Sequence, residues 1–311
     1  MSLVSFFAHA LGAFQQSKTS FRVLCTLPLS KPGALAPRPP GGDPLRTLLV
    51  LDSSFNPPTL AHQRMALSAM PTEPGPGSHR LLLLLAINNA DKAPQPAAFP
   101  ERLAMMYLFA LELLRIRRGP GAELGDKEAE AVDIAVTTEP YFHSKSGAVA
   151  ASDFYRGSGD GGGEAAPEQV YLTGFDTLIR VFDPKYYPDN SMRRALDPFL
   201  TRSRLRVTMR TDADWGDAAA QRAYLESLRG GRLDEVGGRA EWTDRVDMVE
   251  GRREGEAEAV ISSTKVRQAV RGRDWAGLRE LVSDGVAEWI ETEGLYNEDP
   301  GRSMSELLSK P

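Results

Sequence analysis

Short apolar runs that alternate with helical segments dominate the sequence. The longest run, Leu81–Ile87, has the length of a strand buried on both faces of a sheet. We expect further strands at Phe21–Leu27, Leu48–Leu51, Val132–Thr137, Val170–Thr173, Leu205–Met209, Val246–Glu250 and Ala259–Ile261. Strands that alternate with helices imply βαβ units with right-handed crossovers. The sequence therefore predicts an α/β fold: a Rossmann-like, mostly parallel sheet with helices on both faces and post-strand loops gathered along one edge.

Helical periodicity and helix start signals place helices between these strands. Pro100 opens a strong helix from Glu101 to Arg118, because proline is favoured in a first helical turn. Other helices are expected at 63–70, from Ser144 to Tyr155, from Thr177, at 264–271, 275–282 and 283–292, and within the polar segment 212–233.

Segments rich in glycine and proline divide the chain. Residues 28–44 form a connector that cannot be a helix or a central strand. We therefore expect a helix-and-strand extension over residues 1–43 and a main domain over residues 44–298. The segments 119–130 and 156–168 have the composition of mobile insertions, and residues 299–311 have that of a polar tail.

The first 43 residues permit two interpretations. No acidic residue precedes Asp43, and apolar residues from Leu3 to Phe14 fall on one helical face, which is compatible with a mitochondrial transit peptide. The alternative is a packed N-terminal helix that leads into the strand Phe21–Leu27. We favour the packed helix because the segment is poor in arginine. The expected location is therefore the cytoplasm or the nucleus, with the mitochondrion less favoured.

Composition excludes several classes of protein. The net charge of −5 argues against a general nucleic-acid binder, which would be basic. No apolar run approaches the ~20 residues of a membrane span. With Cys25 as the single cysteine and four histidines, a structural zinc site is not expected. The sequence contains no Walker A motif, no G-x-G-x-x-G after a strand and no G-x-S-x-G elbow.

The stretch Ser53–His62 follows the strand Leu48–Leu51 and leads into a helix. A loop of small residues between a strand and a helix start describes a phosphate site, and the backbone N–H groups near Ser54 and Phe55 could face the anion. Thr59 and His62 are three residues apart, so both side chains can point to the same anion. The alternative is a proline-rich turn in which Thr59 caps the helix.

A second phosphate site is predicted at Ile261–Arg267. Ser263 or Thr264 would cap a helix whose free N–H groups point outward, and Lys265 and Arg267 would bring positive charge to the same end.

Further candidate residues follow other strands. Gly174 would let the backbone approach a nucleoside, and Asp176 could accept hydrogen bonds from ribose hydroxyls; the alternative for Asp176 is an N-cap. Lys92 follows the strand Leu81–Ile87, and taken alone it could be an ordinary surface lysine. Arg210 lies at the correct edge for an acidic nucleotide. Tyr186 could contact a ring or simply pack.

Taken together, these stretches resemble the signatures of the nucleotidylyltransferase superfamily. Ser53–His62 resembles the pattern T-x-x-H after G-[ST]-F-[ND]-P, and Ile261–Arg267 matches I-S-S-T-x-x-R about 200 residues downstream. The threonine version at Thr59 is similar to that of eukaryotic nicotinamide mononucleotide adenylyltransferases, and the phrase from Gly174 to Tyr187 resembles a divergent fungal branch. The sequence departs from the pattern at Ser53 and Ala61, where glycines are usual.

The resemblance implies adenylyl transfer from ATP to nicotinamide mononucleotide (NMN) or nicotinate mononucleotide, giving NAD or deamido-NAD and pyrophosphate. Magnesium would be carried by the substrates, with no protein metal site. The residues that the resemblance assigns to catalysis are His62, Lys92 and Arg267. Those assigned to ATP are Ser54, Phe55, Thr59, His62, Gly174, Asp176, Ser263, Thr264, Lys265 and Arg267. Those assigned to the mononucleotide are Asn56, Lys92, Tyr186 and Arg210.

Two alternatives stay open from the sequence. The acceptor could be another phosphorylated metabolite, of the cytidylyltransferase or phosphopantetheine type. The departure at Ser53 and the two insertions also allow a nucleotide-binding regulatory protein without turnover. In every case the expected partners are nucleotides, with neither nucleic acid nor membrane, and the sequence leaves a homo-oligomer open.

Overall fold

The computed structural model describes residues 2–31, 33–41, 45–71, 78–88, 97–119, 131–156, 166–209, 215–251 and 261–297. Within them the strands are β1 Phe21–Leu27, β2 Leu45–Asp52, β3 Ser78–Ala86, β4 Val132–Thr137, β5 Glu168–Gly174, β6 Ser203–Thr208 and β7 Val246–Val249. They form a seven-stranded sheet of order β1-β4-β3-β2-β5-β6-β7. Every neighbouring pair is parallel except β1 and β4. The predicted α/β class is confirmed.

The central strand β2 is buried on both faces. Leu49 and Leu51 point into one hydrophobic cluster, whereas Leu48 and Val50 point into a second cluster on the opposite face. Successive side chains of a strand alternate between faces, so a continuous apolar run is what a sheet covered by helices on both sides requires. This alternation explains why the unbroken runs in the sequence are strands.

The helices are α1 Leu3–Gln16, α2 Leu60–Ala69, α3 Phe99–Arg118, α4 Phe142–Ala151, α5 Phe175–Val181, α6 Met192–Arg202, α7 Ala218–Ser227, α8 Leu233–Glu235, α9 Ser263–Arg271, α10 Trp275–Arg279 and α11 Asp284–Glu293. Several predicted helix bounds were wrong. α2 begins at Leu60 rather than at 63, and α10 ends at Arg279 rather than at 282. α4 begins before Ser144 and ends at Ala151, and a separate 3-10 turn reaches Tyr155. α5 begins two residues before Thr177, because the backbone turns helical directly after Gly174.

The first helix and strand pack into the same core as the rest of the sheet. Phe7, Leu11 and Phe14 of α1 are buried beside α3, and β1 forms the edge strand on β4. The connector is tied back to β1, since the Thr26 N–H donates to the Ala36 carbonyl at 3.1 Å. The first helix is therefore packed on the core and leads into an edge strand.

The strand order creates a crevice between β2 and β5. From β2 the chain proceeds to β3 and β4 on one side, and β5, β6 and β7 lie on the other. Ligands of open α/β sheets bind at such a switch point, outside the carboxyl ends of the strands. Here those ends are Asp52 and Gly174, where the loop Ser53–His62 and the turn Gly174–Asp176 begin.

Several predictions lie outside the described residues. They include Lys92 and Arg210, most of the two insertions, and the tail 299–311. The strand expected at Ala259–Ile261 is also largely outside, and Ile261 itself has no strand conformation. Among the helices that the structure describes, none has both the length and the apolar character needed to cross a membrane.

Candidate functional site

The loop after β2 is shaped around the buried ring of Phe55. This residue has a backbone φ of 43°, a value that residues other than glycine seldom adopt. Its ring is fully buried, with centroids 5.5 Å from the His62 ring and 6.4 Å from the Phe109 ring. Packing on α3 thus holds an uncommon backbone conformation and supplies an apolar wall to His62.

His62 has both ring nitrogens hydrogen-bonded. Its Nδ1 accepts from the Thr59 N–H at 3.1 Å and lies 2.8 Å from Thr59 Oγ1. Because Nδ1 is an acceptor there, the proton of the neutral imidazole belongs on Nε2. Nε2 lies 2.9 Å from Ser53 Oγ. Side chain and backbone together therefore aim the N–H of the ring back toward the end of β2.

The surroundings of His62 favour the neutral ring. Burial lowers its pKa from 6.5 to about 4, since the imidazolium loses hydration. No acidic side chain is a cause of this shift. At neutral pH in the free protein, His62 is therefore a hydrogen-bond donor without charge.

Asn56 ties the loop to other parts of the chain. Its Oδ1 accepts from the Ala97 N–H at 2.9 Å and from the Tyr296 hydroxyl at 2.9 Å. Its carbonyl oxygen accepts from an Arg267 Nη at 2.7 Å. The Asn56 side chain is buried, and it lies behind the loop rather than in either of the cavities described below.

The second motif packs directly on the first. Ser263 Oγ donates to the Pro57 carbonyl at 2.8 Å, and Arg267 reaches the neighbouring Asn56 carbonyl. The N-cap of α9 is Ser262, whose Oγ accepts from the Lys265 N–H at 3.3 Å. The prediction that Ser263 or Thr264 caps this helix was wrong, because the helix begins at Ser263 itself.

Asp176 lies in the first turn of α5, whose N-cap is Gly174. The alternative prediction that Asp176 caps a helix at Thr177 was therefore wrong. Its carboxylate pairs with Arg180 one turn later, at 2.9 Å. An acidic group in a first helical turn is favoured by the helix dipole, and here it also faces the crevice.

A cavity of about 290 Å³ occupies the crevice between β2 and β5. Its lining comes from the carboxyl ends of β2, β5 and β6, the first turn of α2 and the start of α9. Predicted site residues in this lining are Thr59, His62, Gly174, Asp176 and Ser263. The Ser53–His62 loop, the start of α9 and the turn Gly174–Asp176 thus meet around one volume.

A second cavity of about 280 Å³ lies on the β4 side of the same loop. Predicted site residues in this lining are Ser54, Asp176 and Tyr186. Residues missed by sequence reasoning are Tyr141, His143, Lys145 and Arg180. The available signal was that Tyr141 lies in the loop after the predicted strand Val132–Thr137, at the edge where ligands bind. Asp52, Ser53, Phe142, Asp176 and Thr177 line both cavities.

A buried ion pair forms the floor of the second cavity. Lys145 Nζ lies 2.5 Å from Asp52 Oδ2, and the two side chains are 7% and 6% exposed. The ammonium also lies 5.3 Å from the centre of the Phe142 ring. Lysine and aspartate are seldom this buried unless paired, so the pair adds polar groups to the cavity without adding net charge.

Other predicted site residues lie beside the cavities. Phe55, Asn56, Thr264, Lys265 and Arg267 line neither volume. Thr264 and Lys265 are exposed at the start of α9, and the Arg267 guanidinium contacts Thr264 Oγ1 at 3.3 Å. Their assigned roles remain predictions.

Sequence comparison identifies a relative of this chain in Schizosaccharomyces pombe, provisionally named a nicotinamide mononucleotide adenylyltransferase. The two sequences are 31% identical over 247 residues, which cover 79% of this chain and 84% of the relative. No protein-family model matches the chain.

Two solved structures align with the chain at low identity. One is a Plasmodium falciparum nicotinic acid mononucleotide adenylyltransferase complexed with NaAD, 10% identical, with a TM-score of 0.43 over 82% of this chain and 98% of that chain. The other is Thermotoga maritima TmcAL bound with alpha-thio ATP, 15% identical, with a TM-score of 0.37 over 80% of this chain and 56% of that chain. Both TM-scores lie below 0.5, so neither structure supports an assignment of function.

Proposed function

The chain belongs to the nicotinamide mononucleotide adenylyltransferase family, and from this premise we propose that it transfers the adenylyl group of ATP to a pyridine mononucleotide. The acceptor is NMN or nicotinate mononucleotide, and the products are NAD or deamido-NAD and pyrophosphate. A phosphate oxygen of the acceptor attacks the α-phosphorus of ATP, and the bond from that phosphorus to the bridging oxygen of pyrophosphate breaks.

The observation that carries this proposal is the pair of adjoining cavities. In-line transfer needs two nucleotides whose phosphates meet at one point. The two cavities share Ser53 and Asp176 in their linings, and their volumes are similar. We assign ATP to the cavity between β2 and β5, and the mononucleotide to the cavity beside β4.

His62 would act at the transferred phosphate. The reaction needs no covalent enzyme intermediate, so the protein contributes by positioning and by donors aimed at developing negative charge. The neutral Nε2–H is a preorganised donor, fixed on its other side by Thr59, and its partner in the free protein is Ser53 Oγ. Lys92 would add a positive charge at the same phosphate.

The start of α9 would hold the leaving pyrophosphate. The first N–H groups of a helix have no partner within the helix and attract anions. Ser263 lines the ATP cavity, and Thr264, Lys265 and Arg267 follow within the first turns. Arg267 also anchors the Asn56 carbonyl, so binding and loop positioning would use one side chain.

The acceptor cavity suits a pyridine nucleotide in its chemistry. Tyr141, His143, Tyr186 and Tyr187 supply aromatic surface for a ring, and we assign Asp176, which lines the same cavity, to a ribose. Both cationic side chains in this lining, Lys145 and Arg180, are paired with aspartates. Such a lining has a polar floor without excess charge, which accepts either the amide or the acid form. Asn56 and Arg210 stay proposed contacts of the mononucleotide.

Magnesium would arrive with ATP. In the part of the chain that the structure describes, no group of three His, Cys, Asp or Glu side chains could hold a metal ion. Mg²⁺ prefers phosphate oxygens and water in nucleotide sites, so the residues fit an ion held mainly by the substrate. When bound, the ion would neutralise charge on the departing pyrophosphate.

A single assay tests the proposal. Purified protein is incubated with ATP, Mg²⁺ and a panel of acceptors, and both pyrophosphate and dinucleotide are measured. Pyrophosphate with NMN or nicotinate mononucleotide supports the assignment, and the ratio of kcat/KM values identifies the preferred form. Pyrophosphate release only with a cytidylyltransferase-type acceptor or with phosphopantetheine would replace the assignment of a pyridine mononucleotide as the acceptor. ATP binding without any release would identify a regulatory protein.

We also propose a cytoplasmic or nuclear location. Cleavage of the first helix would remove Phe7, Leu11 and Phe14 from the core, which disfavours a transit peptide. Microscopy of a carboxyl-terminal fluorescent fusion tests this, together with the mass of the mature amino terminus. Self-association is open, and light scattering of the purified protein would measure it.

A further inference from the structure

The Ser53 hydroxyl stands between His62 and the point where the two cavities meet. His62 Nδ1 is already engaged by Thr59, and its Nε2–H has Ser53 Oγ as its acceptor at 2.9 Å. Ser53 Oγ has no second hydrogen-bond partner among the described residues. Its own proton is therefore not committed to another protein group.

Ser53 and His62 differ in the cavities that they line. His62 lines the cavity between β2 and β5, whereas Ser53 lines that cavity and the one beside β4. The transferred phosphate must lie where the two volumes adjoin, because it is bonded to ATP before the reaction and to the mononucleotide after it. Ser53 is thus nearer to that point than His62.

We propose that the Ser53 hydroxyl, oriented by His62, is the protein group that donates a hydrogen bond to the transferred phosphate. The inference rests on the adenylyl transfer proposed above and adds a phosphate-contacting residue to it. His62 donates to Ser53 Oγ, and Ser53 donates its hydroxyl proton to a non-bridging oxygen of the α-phosphate. No proton is transferred and no covalent bond forms at Ser53.

The local backbone fixes the position of this hydroxyl. Ser53 follows the last residue of β2, and its N–H donates to the Leu84 carbonyl of β3 at 3.3 Å. A residue held by the sheet and oriented by a histidine that is itself fixed at Nδ1 has few alternative positions. A donor fixed before the substrate arrives is the kind that stabilises developing charge best.

Serine here changes what His62 does. A glycine, as in the usual family pattern, would leave the Nε2–H facing the phosphate directly. In this chain an oxygen atom intervenes, so the contribution of His62 passes through Ser53. Removal of either side chain should then abolish the same interaction.

A double-mutant cycle tests this coupling. The variants are Ser53→Ala, His62→Ala and the double variant, with Ser68→Ala as the control, since Ser68 is an exposed serine on α2 that lines neither cavity. We expect Ser53→Ala to lower kcat at least ~10-fold with ATP KM changed less than about threefold, as loss of a donor used in the transition state predicts. The double variant should lie within about threefold of His62→Ala, as residues acting as a unit do.

Other outcomes overturn the proposal. Multiplicative losses in the double variant would mean that Ser53 and His62 act independently. A Ser53→Ala variant as fast as the parent would mean that the hydroxyl does not contact the phosphate. Rescue by Ser53→Thr, which keeps the hydroxyl, supports it.

A spectroscopic readout separates this inference from the proposed function. Imidazole ¹⁵N shifts of the free protein, assigned by comparison with His62→Ala, should show the Nε2–H tautomer in the parent and a changed Nε2 shift in Ser53→Ala. An Nδ1–H tautomer, or no change on substitution, overturns the inference whether or not the protein has activity. If no acceptor gives pyrophosphate, the proposed function fails. The double-mutant cycle is then repeated with the Kd for ATP as the measured quantity. Losses of affinity that multiply in the double variant would again overturn the role of Ser53.

Discussion

The Tyr296 hydroxyl lies 2.9 Å from Asn56 Oδ1, joining two residues that are 240 positions apart. Tyr296 follows the last helix, α11, and Asn56 is in the loop that carries His62. The carboxyl-terminal part of the described chain therefore supports this loop on the side of the Asn56 side chain.

Replacing Tyr296 by phenylalanine should lower the free energy of unfolding by about 1 kcal/mol, the usual net value of one hydrogen bond in a buried site. Urea denaturation measures the change. Tyr141→Phe is the matched control, because Tyr141 is 40% exposed and should show no loss of stability. Equal changes in both variants would contradict a specific role for the Tyr296 hydroxyl.

Replacing His62 by alanine should lower turnover at least ~100-fold, the range for removal of one preorganised donor. The measurement is pyrophosphate release at saturating ATP and mononucleotide. His9→Ala serves as the control, since His9 is exposed on α1. Near-normal turnover in His62→Ala would remove His62 from the mechanism.

Acid should destabilise the protein through His62 in a defined window. The folded pKa is about 4 and the unfolded value is 6.5, so between these values the unfolded chain binds the proton and the folded chain does not. Stability from this group is therefore complete above pH 6.5 and is lost as the pH falls toward 4, by at most about 3 kcal/mol.

Urea denaturation at a series of pH values checks this, with His62→Asn for comparison. The difference in unfolding free energy between parent and variant should shrink from pH 6.5 to pH 4 and stay constant above that window. A difference that does not vary with pH would show that His62 keeps its ordinary pKa in the folded protein.

Removing one charge of the Asp52–Lys145 pair should lower the free energy of unfolding much more than removing both charges. Lys145→Met strands a buried carboxylate and should lower stability by about 3–5 kcal/mol. The double variant Asp52→Asn, Lys145→Met removes both charges and should recover most of that loss. Chemical denaturation of the three proteins measures it, and equal losses in single and double variants would refute the coupling.

The first helix should be essential for stability. Phe14 is 1% exposed in the main hydrophobic cluster, so Phe14→Ala should cost about 3–5 kcal/mol through lost burial and the resulting cavity. Gln15→Ala, at an exposed position of the same helix, should change stability by less than ~0.5 kcal/mol. Thermal and urea denaturation test both, and a tolerated Phe14→Ala would indicate that α1 does not support the core.

Much of the fold could be predicted because its signals are local. The run Leu81–Ile87 is apolar without interruption, and a strand covered on both faces requires that. The loop Ser53–His62 and the stretch Ile261–Arg267 carry their chemistry in neighbouring residues, and strand order then brings them to one edge. Helix starts were less accurate, as at Ser263 and Phe175, because capping depends on backbone geometry within one or two residues.

The roles of individual side chains depended on contacts between distant segments. Asn56 was assigned to the mononucleotide from its place in the motif, yet its oxygen is bonded to Tyr296 and Ala97. Lys145 attracted no prediction, because its partner Asp52 is 93 positions away. A hydrogen bond or an ion pair needs its two atoms within a few ångströms, and spacing in the sequence does not report that distance.

The sequence by itself determined the α/β class, and it predicted the two phosphate motifs and the role of His62, since these follow from apolar periodicity and from adjacent residues. Only the tertiary structure decided that Ser53 Oγ is hydrogen-bonded to His62 Nε2 and that the buried Asn56 side chain is hydrogen-bonded to Tyr296. It also decided that two cavities adjoin at the end of β2. The physical reason is that periodicity and helix signals act over one or two turns of chain. Burial, pairing and tautomer are instead set by groups that only the folded sheet brings together.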